Sequence, residues 1–118
     1  MNLKKLNKYD EEISFFIFNL RNKLYVRKNS LNKKIIKFEN YKKWLKKFIK
    51  KKNLIYIIFK NKKSIGYIRL ELKYKIYYVS WALDKRYHGK GIIKNYLKKV
   101  TNKKKYCYFA IIRKNNFA

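Results

Sequence analysis

The stretch Val79-Ser80-Trp81-Ala82-Leu83-Asp84-Lys85-Arg86-Tyr87-His88-Gly89-Lys90-Gly91-Ile92 decides the fold of this chain. Its first five residues read as the end of a strand. A Gly-x-Gly turn follows, and Ile92, Ile93, Tyr96, Leu97 and Val100 then recur at the spacing of one helix face. Glycine lets the backbone turn sharply and approach a phosphate with no Cβ in the way. Free amides at the start of a helix attract anions, and Arg86 and Lys90 add positive charge. Strand, glycine turn and helix in this order suit a pyrophosphate.

Upstream, three strand-like runs lie close together at residues 54–59, 65–72 and 76–83, joined by polar turns at 61–63 and 73–75. They predict an antiparallel meander. In the second run, alternation puts Arg69 and Glu71 on the face opposite Ile68, Leu70 and Leu72. Downstream of the glycine helix, a lysine-rich turn at 102–105 leads into a buried strand over 106–112, completing a crossover whose two strands are parallel. Cys107 falls in that run and reads as a small core hydrophobe. Two helices precede the meander. One starts at Asp10, with Glu11 and Glu12 in its first turn and Ile13, Phe16, Ile17 and Leu20 on one face. The other runs over 38–50, with Phe38, Tyr41, Trp44, Leu45, Phe48 and Ile49 as its apolar stripe. The fold class is mixed α/β, in one domain covering residues 1–118.

Composition is dominated by charge: 34 Lys+Arg against 6 Asp+Glu give a formal net charge of +28. Nucleic-acid binders show such an excess. However, Lys, Asn, Ile, Tyr and Phe are enriched together, with no Pro and 3 Gly, as AT-rich codons would produce. No nucleic-acid motif accompanies the charge, so the reading disfavours nucleic acid as the partner. The field draws anionic ligands in either case. A single cysteine excludes an internal disulfide and a multi-cysteine metal site, and no metal is expected. The absence of a signal segment or an apolar run of about 20 residues leaves the cytoplasm as the default location.

Arg86-x-x-Gly89-x-Gly91 after a strand ending Ala82-Leu83-Asp84 resembles motif A of the GNAT acetyltransferases, and Ile65-Gly66-Tyr67-Ile68-Arg69 is similar to that family's preceding strand. The resemblance implies a GNAT acyl-CoA N-acyltransferase fold and transfer of an acetyl group from acetyl-CoA to a primary amine. It implies that the amides of Tyr87, His88, Gly89, Lys90, Gly91 and Ile92 hold the pyrophosphate. It further implies that the backbone of Trp81, Ala82 and Leu83 pairs with the pantetheine arm. An N–H near Leu83 would polarise the thioester carbonyl.

Leu20-Arg21-Asn22, Val26-Arg27, Ser30, Ile36 and Trp44 are similar to a pattern in acetyltransferases of nucleotide-linked amino sugars and in relatives that modify ribosomal proteins. Tyr41 stands where that pattern often has His. This makes Arg21, Asn22, Arg27, Tyr41 and Arg69 the candidate acceptor-binding residues. Arg21 and Arg27 suit bidentate contact with a diphosphate, and pairing with Asp10, Glu11 or Glu39 is an equal alternative. A sugar nucleotide is the first-choice acceptor, with a ribosomal protein or protein N-terminus second. A homodimer stays open, as do a basic RNA- or ribosome-binding module and an inactive remnant.

For the general base, Glu71 is the candidate, directly or through a water, with Ser80 as a second group to position that water. Pairing of Glu71 with Arg69 or a lysine is the competing account. His88, inside the turn, reads as a contact to the cofactor or solvent. Finally, residues 113–118 resemble the start of the family's Asn-x-x-Ser motif, which adds Asn116 to the cofactor contacts. Because the motif stops one residue short of its Ser, the expectation is a chain that lacks the family's C-terminal elements and the Tyr that often protonates the departing thiolate.

Overall fold

The computed structural model describes residues 1–27, 35–103 and 106–110, the side chains of Leu24 and Arg27 excepted. The elements are β1 (Asn2–Lys5), α1 (Glu11–Asn22), α2 (Leu24–Arg27), α3 (Phe38–Lys50), β2 (Leu54–Lys60), β3 (Lys63–Lys73), β4 (Ile76–Leu83), a 3₁₀ turn (Lys85–Tyr87), α4 (Ile92–Val100) and β5 (Cys107–Phe109). The sheet order is β1-β2-β3-β4-β5; the first four strands run antiparallel to their neighbours and β5 runs parallel to β4. This is the mixed sheet with a meander and crossover that the periodicity predicts.

Each helix has a local cause. Asp10 caps α1, its Oδ1 accepting from the Ile13 amide at 3.0 Å, and the two glutamates complement the helix dipole. In α3, Tyr41, Leu45 and Phe48 are buried at spacings of four and three, while the intervening lysines face outward. Asn53 closes the end of α3. Its Nδ2 donates to Phe48 O at 3.2 Å, and its Oδ1 accepts from Leu72 N at 2.8 Å, tying that end to β3.

The two faces of the sheet carry separate cores. Ile68, Leu70, Val79, Leu83 and Ile65 pack with Ile93, Tyr96 and Val100 of α4. On the other face, Ile55, Ile57, Tyr67 and Ala82 pack with Ile17 and Leu20 of α1 and the buried face of α3. Each such Ile or Leu contributes about 1.5–3 kcal/mol by its burial. Arg69 lies on the α1–α3 face, as its alternation predicts, with its guanidinium 5.0 Å from the Trp44 ring centroid.

Three features depart from the expectation. β1 is an additional edge strand, pairing Asn2 to Lys5 with Phe59 to Tyr56. α2 is a single helical turn after α1. Cys107 is exposed rather than in the core. It sits opposite Ile76 on β5, which is last in the strand order, on the face that α1 and α3 cover only further along the sheet. The remainder of the expected strand, at 111–112, lies outside the described residues.

Candidate active site

The glycine turn is built as an anion cradle. Asp84 opens it: its Oδ1 accepts from the Arg86 amide at 3.0 Å, capping the 3₁₀ turn. Gly89 (φ 76°) and Gly91 (φ 71°) both lie in the left-handed region, and Gly91 is the N-cap of α4. No side chain caps that helix, and its first intrahelical bond is Asn95 N to Gly91 O. The amides of Ile92, Ile93 and Lys94 are therefore the unsatisfied donors of a helix N-terminus. Among the described residues, the amides of Gly89, Lys90 and Gly91 also have no acceptor. A Cβ built on either glycine would meet nothing within 4 Å.

Two amides expected in the cradle are engaged elsewhere. Tyr87 N donates to Asp84 O at 2.9 Å and His88 N to Lys85 O at 3.2 Å, because the chain coils into a 3₁₀ turn before it reaches the glycines. The cradle amides without an acceptor among the described residues thus begin at Gly89. Arg86 also differs from its expected free countercharge. Its Nε and Nη2 donate to Asp84 Oδ1 and Oδ2 at 3.2 and 3.0 Å, and this hydrogen bond holds the Asp84 carboxyl below the usual range. Lys60, Arg86 and Lys90 still gather around the Tyr87 ring, 5.3, 5.9 and 5.8 Å from its centroid. The mouth of the cradle remains cationic.

The strand before the turn offers a free edge. Asp84 N donates to Ile65 O, which makes Ile65 and Asp84 a hydrogen-bonded pair of the β3–β4 ladder. In antiparallel pairing such pairs alternate. The polar backbone of Ala82 and Ser80 therefore points at β3, and that of Leu83, Trp81 and Val79 points away from it. β5 pairs only with Ile76, Tyr77 and Tyr78, leaving the outward groups of Trp81 and Leu83 without a strand partner among the described residues. Ala82 is accordingly no candidate for pairing with an extended ligand. Its neighbours are.

His88 Nε2–H donates to Leu83 O at 2.7 Å, since a carbonyl can only accept. His88 thus braces the turn, and the Tyr25 ring stands edge-on against it at 5.5 Å. The Tyr25 hydroxyl accepts from Lys85 N at 3.2 Å, and burial raises its pKa. This is the role of α2, a support that no periodicity announces.

On the α1–α3 face, Ser80 lies opposite Arg69 and Glu71 opposite Tyr78. Ser80 Oγ is shielded from solvent and has no hydrogen-bond partner among the described residues. Glu71 lies one side-chain repeat further from the turn and keeps its carboxylate 3.8 Å from Lys73 Nζ, the competing account given above. Tyr41 and Tyr67 are buried beside Arg69 and Arg21, and burial raises the pKa of both phenols. Tyr41 therefore forms the floor of this region rather than an exposed contact. Asn22 is already engaged in the fold. Its Nδ2 donates to Ile36 O at 2.9 Å and its Oδ1 accepts from Ile36 N at 3.1 Å, which fastens the segment leading into α3 to the end of α1. The Arg27 side chain, Ser30 and Asn116 lie outside the described residues.

Comparison with known proteins gives the following. The model of the acetyltransferase (GNAT) family matches residues 16–117. Among solved structures, a ribosomal-protein-alanine N-acetyltransferase from Brucella melitensis superposes with a TM-score of 0.74 at 15% identity, covering 98% of this chain and 76% of that one. A predicted acetyltransferase from Clostridium acetobutylicum, solved with acetyl-CoA, gives 0.70 at 15% identity over 96% and 81%. An aminoglycoside 6'-N-acetyltransferase from Acinetobacter haemolyticus gives 0.70 at 12% identity over 98% and 82%. No curated protein sequence matches.

Proposed function

The chain belongs to the acetyltransferase (GNAT) family, and we propose that it moves an acetyl group from acetyl-CoA to a primary amine carried by a nucleotide-linked sugar. The observation that carries the cofactor half is the run of amides from Gly89 to Lys94, without acceptors among the described residues, at the mouth of a helix. It suits a diphosphate. The outward backbone of Trp81 and Leu83 suits the pantetheine arm as an added strand, with the Leu83 N–H as the donor to the thioester oxygen. His88 already occupies the Leu83 carbonyl, so the arm would rely on the Trp81 carbonyl and the two amides unless His88 turns away.

The acceptor half rests on charge. Arg69 and Arg21 converge near Tyr41 and Tyr67 beside Ser80, and the whole chain carries +28. Such a field concentrates an acceptor bearing phosphates and repels a polycation. That favours a sugar nucleotide over an aminoglycoside or a basic ribosomal protein, although solved structures of the last two activities share the fold.

Chemically, the amine must arrive neutral and lose a proton as the new amide forms. Glu71 would take that proton through a water held by Ser80 Oγ, whose unmatched hydroxyl supports this placing. Coenzyme A thiol release, followed in parallel with a uridine-diphosphate amino sugar and with an alanine-terminated basic peptide, tests the proposal. Turnover of the sugar nucleotide alone supports it. Turnover of the peptide alone would reassign the acceptor, and no uptake of coenzyme A at all would remove the acetyltransferase reading.

A further inference from the structure

The end of the sheet opposite the glycine turn is different in character. β4 starts there, and at about 3.3 Å per residue Ile76 lies roughly 23 Å from Leu83. Tyr74, in the β3–β4 turn, is 99% exposed, and its φ of 59° lies in the left-handed region. A two-residue hairpin turn asks for a positive φ, as Asn61 and Lys62 also show in the β2–β3 turn, and Gly or Asn would fit there with less strain than Tyr. Close by, Tyr78 is 40% exposed and Phe109 51% exposed, their rings meeting edge to face at 5.7 Å. Among the described aromatics, Phe15 on α1 is the other exposed one.

Cations surround them. Lys73 Nζ stands 5.5 Å from the Tyr78 ring centroid. Lys75, in the turn, is exposed and accepts from the Cys107 amide through its backbone. Lys51 and Lys52, exposed after α3, lie at the same end of the sheet, where Tyr77 Oη donates to Lys52 O at 3.1 Å and Asn53 binds Leu72, although Tyr77 and Leu72 face α4 rather than the side of Tyr78 and Phe109. The acidic side chain here, Glu71, faces Lys73. Exposed rings interleaved with lysines that outnumber the one carboxylate have the chemistry of a single-strand nucleic-acid surface, in which bases stack on the rings and the cations follow the phosphates. A membrane would ask for a continuous apolar wedge and an acidic peptide for no rings.

We propose that this end of the sheet, around Tyr74, Tyr78 and Phe109, binds single-stranded nucleic acid, at a surface that adjoins Glu71 through Tyr78 and Lys73 and lies away from the glycine turn. The inference does not depend on the acceptor or on catalysis.

The test is fluorescence anisotropy with a labelled oligouridylate of about ten nucleotides at roughly 0.15 M salt, against wild type, Tyr74→Asn and Lys51→Gln/Lys75→Gln. Tyr74→Asn leaves net charge unchanged and suits the left-handed turn, so its melting temperature should hold or rise. It should weaken the oligonucleotide by about fivefold or more, as expected for one lost stacked base. An abasic oligomer of equal charge should bind wild type more weakly by a similar factor. The lysine double variant should lower the slope of log affinity against log salt by roughly 1.4. Coenzyme A titration should be unchanged in every variant. Equal binding of wild type and Tyr74→Asn, equal binding of the abasic oligomer, or no binding at this salt would each overturn the proposal. In the first two cases the chain would be a non-specific polycation.

Discussion

Replacing Gly91 with alanine separates the fold from the cradle, because the two consequences have different sizes. Gly91 holds φ at 71°, and a Cβ there would touch nothing within 4 Å. The folding cost is then the left-handed backbone alone, about 1–2 kcal/mol, or a fall in Tm of roughly 5–10 °C for a chain of this length. If the proposed diphosphate sits against the amides of Gly89 to Lys94, a Cβ at Gly91 and the backbone shift it forces disturb that contact. Losing two charge-assisted hydrogen bonds to that anion, at about 1.5–3 kcal/mol each, weakens binding by ~10²-fold or more. Isothermal titration with coenzyme A, performed well below the variant's Tm, reads the second effect free of the first. A Gly91→Ala protein that melts early yet binds coenzyme A with wild-type Kd would refute the assignment of these amides to the cofactor.

Gly66→Ala should destabilise by about 1–3 kcal/mol, seen in a thermal melt, because its Cβ would lie 2.8 Å from both Ala82 O and Leu83 Cδ1. Glu71→Gln should lower kcat about 10²-fold with little change in coenzyme A affinity; an unchanged rate would leave Glu71 as the partner of Lys73 only. Asp84→Asn should cost little at neutral pH, since Asn caps as well as Asp and an exposed ion pair contributes only a small part of stability. Because Arg86 depresses the Asp84 pKa in the folded state, this stabilisation is present above about pH 4 and lost as pH falls through the depressed value. Melts of wild type and Asp84→Asn should therefore converge only in acid, and a constant gap down to the acid limit would exclude the ion pair as its source.

How much of this was readable beforehand follows from the length of each signal. α3 and α4 carry their apolar residues over several turns, and the three central strands alternate or run apolar long enough to be unmistakable. β1 offers a single inward residue, Leu3, among Asn2, Lys4 and Lys5, and exists only because β2 supplies a partner. α2 is too short to have a period at all. Side-chain tasks were the hardest to read. Asn22 and Tyr41 sat in a pattern suggesting ligand contact, yet one ties α1 to Ile36 and the other lies under Arg69. Hydrogen bonds across a sequence separation of fourteen leave no trace in local spacing. The Cys107 error has a related cause: an apolar run predicts a strand, but whether both faces are covered depends on where the helices stop.

The orientation of β4 explains why one strand can serve two chemistries. Its even residues point their backbone at β3 and its odd residues point theirs away, so the strand's outer edge is paired by β5 at Ile76–Tyr78 and free at Trp81 and Leu83. At the free end the polar backbone is what a ligand meets, and the glycine turn prolongs that backbone surface into the helix amides; side chains there mainly brace, as His88 and Arg86 do. At the paired end the backbone is already satisfied, so any ligand must be recognised by side chains, and those on offer are Tyr74, Tyr78, Phe109 and their lysines. A small anion needs donors at fixed angles and is suited by the first arrangement. A flexible polyanion with aromatic bases needs flat rings and diffuse charge, which is what the second presents.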